Sequence, residues 1–459
     1  MNQFQEIFDK QLANFNTDVT KTYEWRIDQL DRMEKMILEN TEAFNEAIGK
    51  DFKSSYAEQF FETGAPLGTI AGTKANLKEW MKPKEEPIPK FLRETGHKGL
   101  VYREPFGVTL VIGPFNGPLL LSLRPAINCL AAGNPVILKT SNALPKTSEQ
   151  LIKLIPKYFE PESVTVVSGN RDAITELLKL SFSFIFFTGS VPTGKVIMRA
   201  AAENLTPVIL ELGGQNPVIV DETADIADAA EKIAWGKSAW GGQWCTSPGY
   251  VLVHESVADK FAEEAKKALK KMYGDDPKKS ADYSRIVSAK ELQKLTAVID
   301  PAKVIAGGDF DVEERYLAPT LVYPVTWEDN IMKGENFGPV LPILKYSNLK
   351  DAVKKIKSIP KPLSAYFFSK NDDTIKYLLN TLSFGGGAVN QVNITLYIES
   401  MPFGGVGESG IGSYYGKYGF DSLTHPKSIL FEPSGQKIDH LIPPYNMEKI
   451  KFLNNWGVF

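Results

Sequence analysis

Short apolar runs alternate with segments of helical periodicity along most of this 459-residue chain. Such alternation, with short connections, predicts a parallel β-sheet that is covered by helices on both faces. The first series of predicted strands is GVTLVIG (107–113), NPVILK (134–139), SVTVVSG (163–169) and FSFIFFTG (182–189). Helices are predicted between them at Pro125–Ala132, Thr147–Phe159 and Asp172–Leu180. The sequence therefore predicts an α/β fold with a doubly wound sheet.

A second series of the same kind begins near Thr206. Its predicted elements are the strands PVILELGG (207–214), NPVIVDE (216–222) and GYVLVH (249–254), helices at Ile226–Trp240 and Ala258–Tyr273, and strands near Ala318–Tyr323 and Pro342–Tyr346. Residues 1–80 are predicted to be helical, and the Pro-rich, charged stretch Lys82–Lys90 to be a linker or an extended arm. From Phe384 onward the chain is glycine-rich and irregular, with a final strand at Ser428–Phe431.

The charge balance argues against whole classes of partner. The chain has 52 basic and 55 acidic side chains, a net charge of −3 that is too balanced for a dedicated binder of nucleic acid or of a membrane surface. Its two cysteines, Cys129 and Cys245, are too few to stabilise a secreted scaffold of this size. The first residues lack the apolar core of a secretory signal, and segment 440–459 contains no membrane-spanning run. We expect a cytoplasmic protein without a membrane anchor.

Two glycine-rich segments come close to nucleotide-binding motifs. GVGESG (405–410) fits G-x-G-x-x-G, but no strand precedes it and no helix follows it, so we predict a glycine-rich loop. GSVPTGKV (189–196) has Val196 where a phosphate-binding loop needs a hydroxyl for magnesium, and Pro192 removes a backbone N–H. It is not predicted to hydrolyse nucleoside triphosphates. Its strand, turn and helix still suit an anionic cofactor, because helix N-terminal N–H groups favour phosphate.

Cys245 is the candidate nucleophile. It lies in AWGGQWCTSPG, where flanking glycines suit a backbone that closely approaches a ligand, whereas Cys129 lies in the apolar PAINCLAAG and is predicted to be a core residue. With a pKa near ~8.5, only a few per cent of a thiol is ionised at neutral pH, so a nucleophile here needs a base or oriented dipoles. Glu211, after four apolar residues and before two glycines, is a candidate base, since a partly desolvated carboxyl has a raised pKa.

Other interpretations of these residues stay open at this point. Glu211 could be an ordinary solvated charge at a strand end. A cysteine–histidine pair is also open, because sequence distance does not exclude it. The four histidines are His97, His254, His425 and His440.

Seven motifs, in order, resemble the aldehyde dehydrogenase superfamily. They are GPFNGP (113–118), NPVILK (134–139), FTGS (187–190), ELGGQNP (211–217), GGQWC (241–245), ENFGPVLPI (335–343) and MPFGGVGESGIG (401–412). The resemblance covers about residues 20 to 435, and the segment YYGKYGFDSLTHPKS (414–428) places the chain nearest the class 3 branch. It implies the family's fold, in which a Rossmann-like cofactor domain, an α/β catalytic domain and a small β oligomerisation arm are combined.

The resemblance implies a reaction and three catalytic residues. Family members oxidise an aldehyde to a carboxylic acid with NAD or NADP. By the family's pattern Cys245 attacks the aldehyde carbon, Asn116 and the backbone N–H of Cys245 stabilise the oxyanion, and Glu211 activates the water that hydrolyses the thioester. No metal is implied.

The resemblance also assigns cofactor contacts. Thr188, Gly189 and Ser190 would lie beside the pyrophosphate, Lys139 would bind the adenosine ribose, and Glu335 and Phe337 would hold the nicotinamide ribose and ring. Phe115 and Leu212 complete this predicted set. Simple core packing is the alternative for Phe337.

Departures from the family's motifs bear on specificity. LKTSN replaces the usual LKPSE, so Asn142 stands where a carboxylate is expected near the adenosine 2′ position, and a 2′-phosphate would meet less repulsion. This favours use of NADP. Gly117 replaces the usual aromatic after Asn116, and Trp244 precedes the nucleophile; with Thr246 they are predicted to line a substrate pocket for a medium or large apolar, or aromatic, aldehyde. Nothing in the sequence explains Gln215 in place of the usual lysine.

The family's organisation implies domain bounds and a dimer. Residues 1–82 and 104–209 would form the cofactor-binding domain, 210–400 the catalytic domain, and 83–103 with 413–435 the arm and C-terminal bridging segment. By analogy we expect a homodimer or a dimer of dimers, with an aldehyde substrate and no nucleic-acid partner.

Three alternatives to this function remain. In a coenzyme A-acylating dehydrogenase a thiol rather than water would resolve the thioester, and such members tend to lack the base that Glu211 supplies. A catalytically silent homologue would not be expected to keep Cys245, Glu211 and Asn116 together. A cysteine hydrolase would work without any cofactor.

Overall fold

The computed structural model describes residues 2–435 and 441–455. Its strands, in chain order, are β1 Lys84–Glu86, β2 Lys98–Pro105, β3 Thr109–Ile112, β4 Val136–Lys139, β5 Val164–Val167, β6 Phe184–Gly189, β7 Val208–Leu212, β8 Pro217–Val220, β9 Tyr250–His254, β10 Val304–Ala306, β11 Phe310–Asp311, β12 Tyr316–Leu317, β13 Thr320–Val325, β14 Val340–Tyr346, β15 Ser364–Phe368, β16 Gly386–Val389, β17 Gly410–Ile411 and β18 Thr424–Phe431.

The helices cover both ends of the chain and the connections between strands. They are α1 Gln5–Phe15, α2 Tyr23–Glu39, α3 Thr41–Asp51, α4 Tyr56–Trp80, α5 Lys90–Glu94, α6 Leu120–Ala131, α7 Pro145–Tyr158, α8 Arg171–Leu177, α9 Val191–Glu203, α10 Ile226–Ser238, α11 Ala258–Tyr273, α12 Ala289–Thr296, α13 Leu349–Ile356, α14 Asp372–Thr381, α15 Gly416–Ser422 and α16 Met447–Asn454. The predicted helical beginning of the chain is confirmed.

The first sheet has six strands in the order β17-β7-β6-β3-β4-β5. All neighbours are parallel except β17, which runs antiparallel to β7. The side chains of successive strand residues pack into different hydrophobic cores: that of Val111 lies on one face of the sheet, and those of Leu110 and Ile112 lie on the other. This confirms the predicted doubly wound sheet, whose strands are apolar throughout because both faces are buried.

The second sheet has seven strands in the order β10-β13-β14-β9-β8-β15-β16, with β10 antiparallel to the rest. The prediction that this unit begins near Thr206 is wrong. Val208–Leu212 pairs in parallel with β6 in the first sheet, and the second sheet begins at Pro217–Val220. Periodicity does not show which sheet a strand joins, because both are buried parallel sheets.

A three-stranded antiparallel sheet, β1-β2-β18, joins the two segments that were predicted to form an arm. Lys84–Glu86 in the Pro-rich stretch pairs with β2, and β18 pairs with β2 from Thr424 to Phe431. The last strand therefore begins four residues earlier than predicted. Pro426 within it is compatible with an edge strand, where an unpaired N–H is not required.

Helix α6 begins at Leu120, five residues before the predicted start at Pro125. The side chain of Glu62, from α4, accepts hydrogen bonds from the N–H groups of Leu119 and Leu120. These are donors that a helix leaves without intrahelical partners at its first turn. Because Glu62 lies 57 residues before Leu119, whose N–H it caps, the local sequence does not indicate where the helix begins.

Within residues 2–435 and 441–455, no helix is both long and apolar enough to cross a membrane. Parts of the C-terminal segment, 436–440 and 456–459, lie outside the described residues.

Candidate active site

A cavity of about 450 Å³ opens at the carboxyl ends of four strands of the first sheet, β3, β4, β6 and β7. This edge is where ligands bind in open α/β sheets. The predicted residues that line it are Phe115, Asn116, Lys139, Thr188, Gly189, Ser190, Glu211, Leu212, Cys245, Glu335 and Phe337. The structure thus brings every predicted catalytic and cofactor-binding position to one cavity.

Cys245 reaches the cavity on a tightly turned loop. After α10 the backbone passes through a 3₁₀ turn at Ala239–Gly242, in which Trp240, Gly241 and Gly242 all have positive φ (57°, 60° and 70°). A Cβ atom on Gly242 would collide with the backbone of Gly338. Only glycine fits that position, which explains the glycines before the nucleophile.

Asn216 fixes the loop on its other side. Its Nδ2 donates to the backbone oxygens of Cys245 (2.8 Å) and Ser247 (2.9 Å), and its Oδ1 accepts from the N–H of Ser364 (2.8 Å). The side chain is 1% exposed. The sequence analysis missed this role, although Asn216 lies inside the motif ELGGQNP.

The surroundings of the Cys245 thiol disfavour its ionisation. Burial, followed by the nearby carboxyls of Glu211 and Glu335, raises the pKa of this thiol to about 12, and backbone N–H groups at positions 245 and 246 offset part of that effect. Because the thiolate is the nucleophile, the side chain needs a proton acceptor before it can react.

Glu211 is a buried carboxyl without a partner. It lies on β7 between Thr188 of β6 and Gly410 of β17, and it is 3% exposed. Neither oxygen has a hydrogen-bond partner in the part of the chain that the structure describes. Burial raises the pKa of Glu211 well above its usual range. A desolvated carboxyl of this kind is suited to accept a proton.

The three histidines that the structure describes do not offer a competing base. Those that lie in the described residues belong to the arm or to the second sheet: His97 precedes β2, His254 ends β9 and His425 is on β18. None of these three lines the cavity, and His440 lies outside the described residues.

The turn from β6 into α9 fits the pyrophosphate of a dinucleotide. Ser190 is the N-cap of α9, and its hydroxyl contacts that of Thr193 (3.1 Å). The Ser190 side chain makes no hydrogen bond to the first-turn N–H groups of the helix. The Thr188 hydroxyl is buried and has no hydrogen-bond partner among the described residues. A Cβ on Gly189 would lie 2.5 Å from the Phe187 ring. Free donors beside a helix N-terminus are the chemistry that an anionic cofactor needs.

Lys139, Glu335 and Phe337 also line the part of the cavity that is predicted to bind the cofactor. Lys139, at the end of β4, is 3% exposed, and burial lowers the pKa of its ammonium group. From the second sheet's side, Glu335 accepts a hydrogen bond from the N–H of Gly214 (3.1 Å), and the Phe337 ring meets that of Phe115 edge to face at 5.8 Å. Phe337 is therefore more than a core residue, because it lines the open cavity.

Gly117, Trp244 and Thr246 do not line this cavity. The Trp244 indole is 3% exposed and packs against Trp235 and Trp240, with ring centres 5.9 and 4.3 Å away. Thr246 is fully buried. Their predicted place in a substrate pocket stays a prediction, although the Trp244 Nε1 and Thr246 Oγ1 atoms are buried without partners in the described parts of the chain.

The segment GVGESG forms a loop, as predicted. A 3₁₀ turn at Gly407–Ser409 leads into Gly410–Ile411, which pairs with Leu210 and Glu211. It covers the edge of β7 and does not line the cavity. The interpretation of this motif as structural is therefore confirmed.

The chain is similar to known proteins over nearly its whole length. The model of the aldehyde dehydrogenase family matches residues 2–429. A 4,4'-diaponeurosporen-aldehyde dehydrogenase of Staphylococcus aureus is 41% identical over 456 residues, 99% of each chain. A dimeric, NADP-preferring aldehyde dehydrogenase of Mus musculus is 38% identical over 432 residues, 94% of this chain and 95% of the relative.

A solved structure agrees closely with the fold. The substrate-bound state of Staphylococcus aureus AldH has a TM-score of 0.96 and 40% identity, with 99% of each chain covered. Relatives named as family 3 members, from Homo sapiens (36% identical, 96% of this chain and 94% of the relative) and Arabidopsis thaliana (39%, 96% and 92%), confirm the likeness to the class 3 branch. The chain belongs to the aldehyde dehydrogenase family and is an NAD(P)-dependent oxidoreductase that oxidises aldehydes.

Proposed function

We propose that this enzyme converts an apolar aldehyde of medium or large size to its carboxylic acid through a covalent intermediate on Cys245. The observation that carries the proposal is the convergence of Cys245, Glu211 and Asn116 on the cavity whose other end fits a dinucleotide. A kinetic screen of aldehydes with NAD and NADP tests it. Accumulation of a coenzyme A thioester instead of free acid would favour the acylating alternative.

In this mechanism Glu211 accepts the proton of the Cys245 thiol, and the sulfur attacks the aldehyde carbon to form a thiohemiacetal. The carbonyl oxygen becomes an oxyanion, which accepts hydrogen bonds from the Asn116 side-chain amide and the N–H of Cys245. When bound, NAD or NADP supplies the hydride acceptor. The hydrogen on the former aldehyde carbon leaves with its electron pair, which turns the thiohemiacetal into a thioester, and Glu211 releases to solvent the proton that it took from the thiol. The Glu211 carboxylate then takes a proton from water, whose oxygen attacks the thioester carbon. The C–S bond breaks, the Cys245 sulfur recovers a proton from Glu211, and the acid leaves.

The cofactor would be held by residues of both sheets. Thr188, Gly189 and Ser190 would meet the pyrophosphate with backbone N–H groups and hydroxyls, and Lys139 would bind the adenosine ribose. Glu335 would accept hydrogen bonds from the nicotinamide ribose. These positions are supported by the unpartnered Thr188 hydroxyl and by the lining of the cavity.

We expect NADP to be used at least as well as NAD. Asn142 lines the cavity beside Lys139, and no carboxylate stands at position 142 to repel a 2′-phosphate. A relative from Mus musculus is NADP-preferring. Measuring kcat/KM for both cofactors with one aldehyde checks this. Asn142→Glu should shift the ratio toward NAD, and an NAD preference of about a hundredfold in the unaltered enzyme, a difference of roughly 2.7 kcal/mol, would contradict the proposal.

We expect long or aromatic aldehydes to have a higher kcat/KM than acetaldehyde. Phe61 and Trp235 are the half-buried members of an aromatic cluster beside the Cys245 loop, which the buried Trp240 and Trp244 complete; the ring centres of Phe61 and Trp240 are 5.7 Å apart. Apolar surface of this kind gains free energy from each additional methylene that it buries, about 0.8 kcal/mol. The Staphylococcus aureus relative is named for a carotenoid-type aldehyde. A panel of straight-chain and aromatic aldehydes measures the trend, and acetaldehyde as the best substrate would refute it.

A homodimer, or a dimer of dimers, is the assembly that the arm favours. Ile429, Leu430 and Phe431 on the edge strand β18 are between 37% and 53% exposed. An apolar edge strand left in solvent invites pairing with another chain. The Mus musculus relative is dimeric.

A further inference from the structure

Three charged side chains are buried between the loop that carries Asn116 and the loop that carries Cys245. Lys53 and Glu62 are fully buried and form an ion pair, and Glu58, one turn before Glu62 on α4, is 8% exposed. We call Lys53, Glu58 and Glu62 the α4 charge network. It does not line the cavity, so it does not touch the reacting atoms.

One end of the network holds the loop that carries Asn116. The Glu62 Oε2 atom accepts hydrogen bonds from the N–H groups of Leu119 (3.1 Å) and Leu120 (2.9 Å). These N–H groups lie three and four residues after Asn116, at the beginning of α6. The carboxylate therefore sets where the helix begins and where the preceding loop can place the asparagine amide.

The other end holds the loop that carries Cys245. Glu58 accepts a hydrogen bond from the N–H of Trp240 (2.6 Å) and another from the hydroxyl of Ser284 (2.6 Å). The Lys53 ammonium lies 3.4 Å from the centre of the Trp240 ring, within reach of a cation–π interaction. Trp240 has a φ of 57°, a conformation that a bulky residue adopts only when its surroundings enforce it.

The stability of the fold does not explain why this network consists of charged side chains. Removing two charges from water costs free energy that a buried ion pair often fails to recover, and apolar side chains of similar volume frequently replace such a pair without loss. What apolar side chains would not supply is acceptors for backbone N–H groups on two separate loops at once.

We propose that Lys53, Glu58 and Glu62 are positioning residues that fix the Asn116 amide and the Cys245 N–H relative to each other, so that both donors meet the same oxyanion. This rests on the roles proposed above for Asn116 and Cys245. Because a misplacement of about 1 Å far from the chemistry can cost about 10² in rate, the network should act on kcat rather than on binding.

The test compares two double variants of the full-length enzyme with a control at the opposite end of α6. Lys53→Met/Glu62→Leu removes both charges and the acceptor, and Lys53→Met/Glu62→Gln keeps an acceptor oxygen. Arg26→Met is the control, because Arg26 is 2% exposed and donates to the backbone oxygen of Ala131 (3.1 Å), the last residue of α6. Melting temperature, the Kd of NADP, kcat and the KM of the aldehyde are measured for each.

We expect kcat to fall about 100-fold in Lys53→Met/Glu62→Leu, with KM and the NADP Kd within about threefold of the unaltered enzyme. Lys53→Met/Glu62→Gln should recover about tenfold of that loss, because the amide oxygen still accepts from Leu119 and Leu120. Arg26→Met should lower the melting temperature and keep kcat within about twofold. Should the leucine variant not fold, the glutamine variant decides alone: a kcat equal to that of Arg26→Met overturns the proposal.

A cycle with Asn116→Ala separates this inference from the proposed mechanism. If the network acts through the oxyanion donors, adding Lys53→Met/Glu62→Gln to Asn116→Ala should cost much less than it costs alone. Fully multiplicative losses would overturn the positioning role. Full activity of Asn116→Ala by itself would instead refute the proposed role of Asn116.

Discussion

Replacing Cys245 by serine is expected to reduce kcat/KM for aldehyde oxidation by roughly 10⁴-fold or more, the scale at which loss of a catalytic nucleophile is felt. A serine hydroxyl ionises far less readily than a thiol and is a weaker nucleophile without a dedicated base. The NADP Kd should stay within about twofold, because the predicted pyrophosphate contacts lie on the turn from β6 into α9 and not on the Cys245 loop. Reduced cofactor is followed by absorbance, and NADP binding by fluorescence titration.

Cys129→Ala is the matched control for that experiment. Cys129 is fully buried within α6, does not line the cavity, and has a thiol whose pKa burial also raises. We expect a lower melting temperature with kcat close to that of the unaltered enzyme, since the loss is one of core packing. If Cys245→Ser retained more than about a tenth of the activity, or if Cys129→Ala lost it, the assignment of the nucleophile would be wrong.

The surroundings of the half-buried Cys245 also bear on how the enzyme works at neutral pH. Its thiol, with a pKa of about 12, is protonated there, and Glu211, the main neighbouring carboxyl, is itself desolvated. The thiol therefore needs a proton acceptor, and the ionised form of Glu211 that could accept its proton increases as pH rises. This supports the proposal that Glu211 activates the thiol as well as the water.

The sequence was sufficient for features that depend on local pattern. The pattern predicted that Thr188 and Glu211 follow apolar strands, whereas Lys139 was assigned by the family resemblance. The structure places all three at the carboxyl ends of parallel strands, which meet at one edge of the sheet. The close approach of a ligand to the glycines before Cys245 stays a prediction; the structure shows that Gly241 and Gly242 have positive φ.

Features set by distant contacts could not be predicted. The start of α6 depends on Glu62, 58 residues before it, and the Cys245 loop depends on Asn216, 29 residues before Cys245. The strand Val208–Leu212 joins the first sheet through its register with β6, which no periodicity encodes. In the first two cases the partner is distant in sequence. In the third, the strands of both sheets have the same apolar pattern.

Replacing Glu211 by glutamine is expected to lower steady-state kcat by about 10²- to 10⁴-fold, the usual contribution of a general base. Glutamine has nearly the same shape and cannot accept the proton of water. If its main loss is in thioester hydrolysis, mixing enzyme, aldehyde and NADP should give a rapid burst of reduced cofactor equal to the enzyme concentration, followed by slow turnover. Stopped-flow absorbance resolves the two phases, and a trapped acyl-enzyme is detected by intact-protein mass spectrometry.

The raised pKa of Glu211 also predicts the direction in which kcat changes with pH. Because burial raises the pKa of Glu211, its basic form increases as pH rises through that raised value, and kcat of the unaltered enzyme should increase with it. Glu211→Gln should lose this rise and follow hydroxide alone. Glu335→Gln is the matched comparison, a carboxylate on the same cavity that is expected to raise the KM of the cofactor and keep the pH profile. A glutamine variant at 211 with an unchanged pH profile and no burst would remove Glu211 from the mechanism and leave the carboxyl with a structural role only.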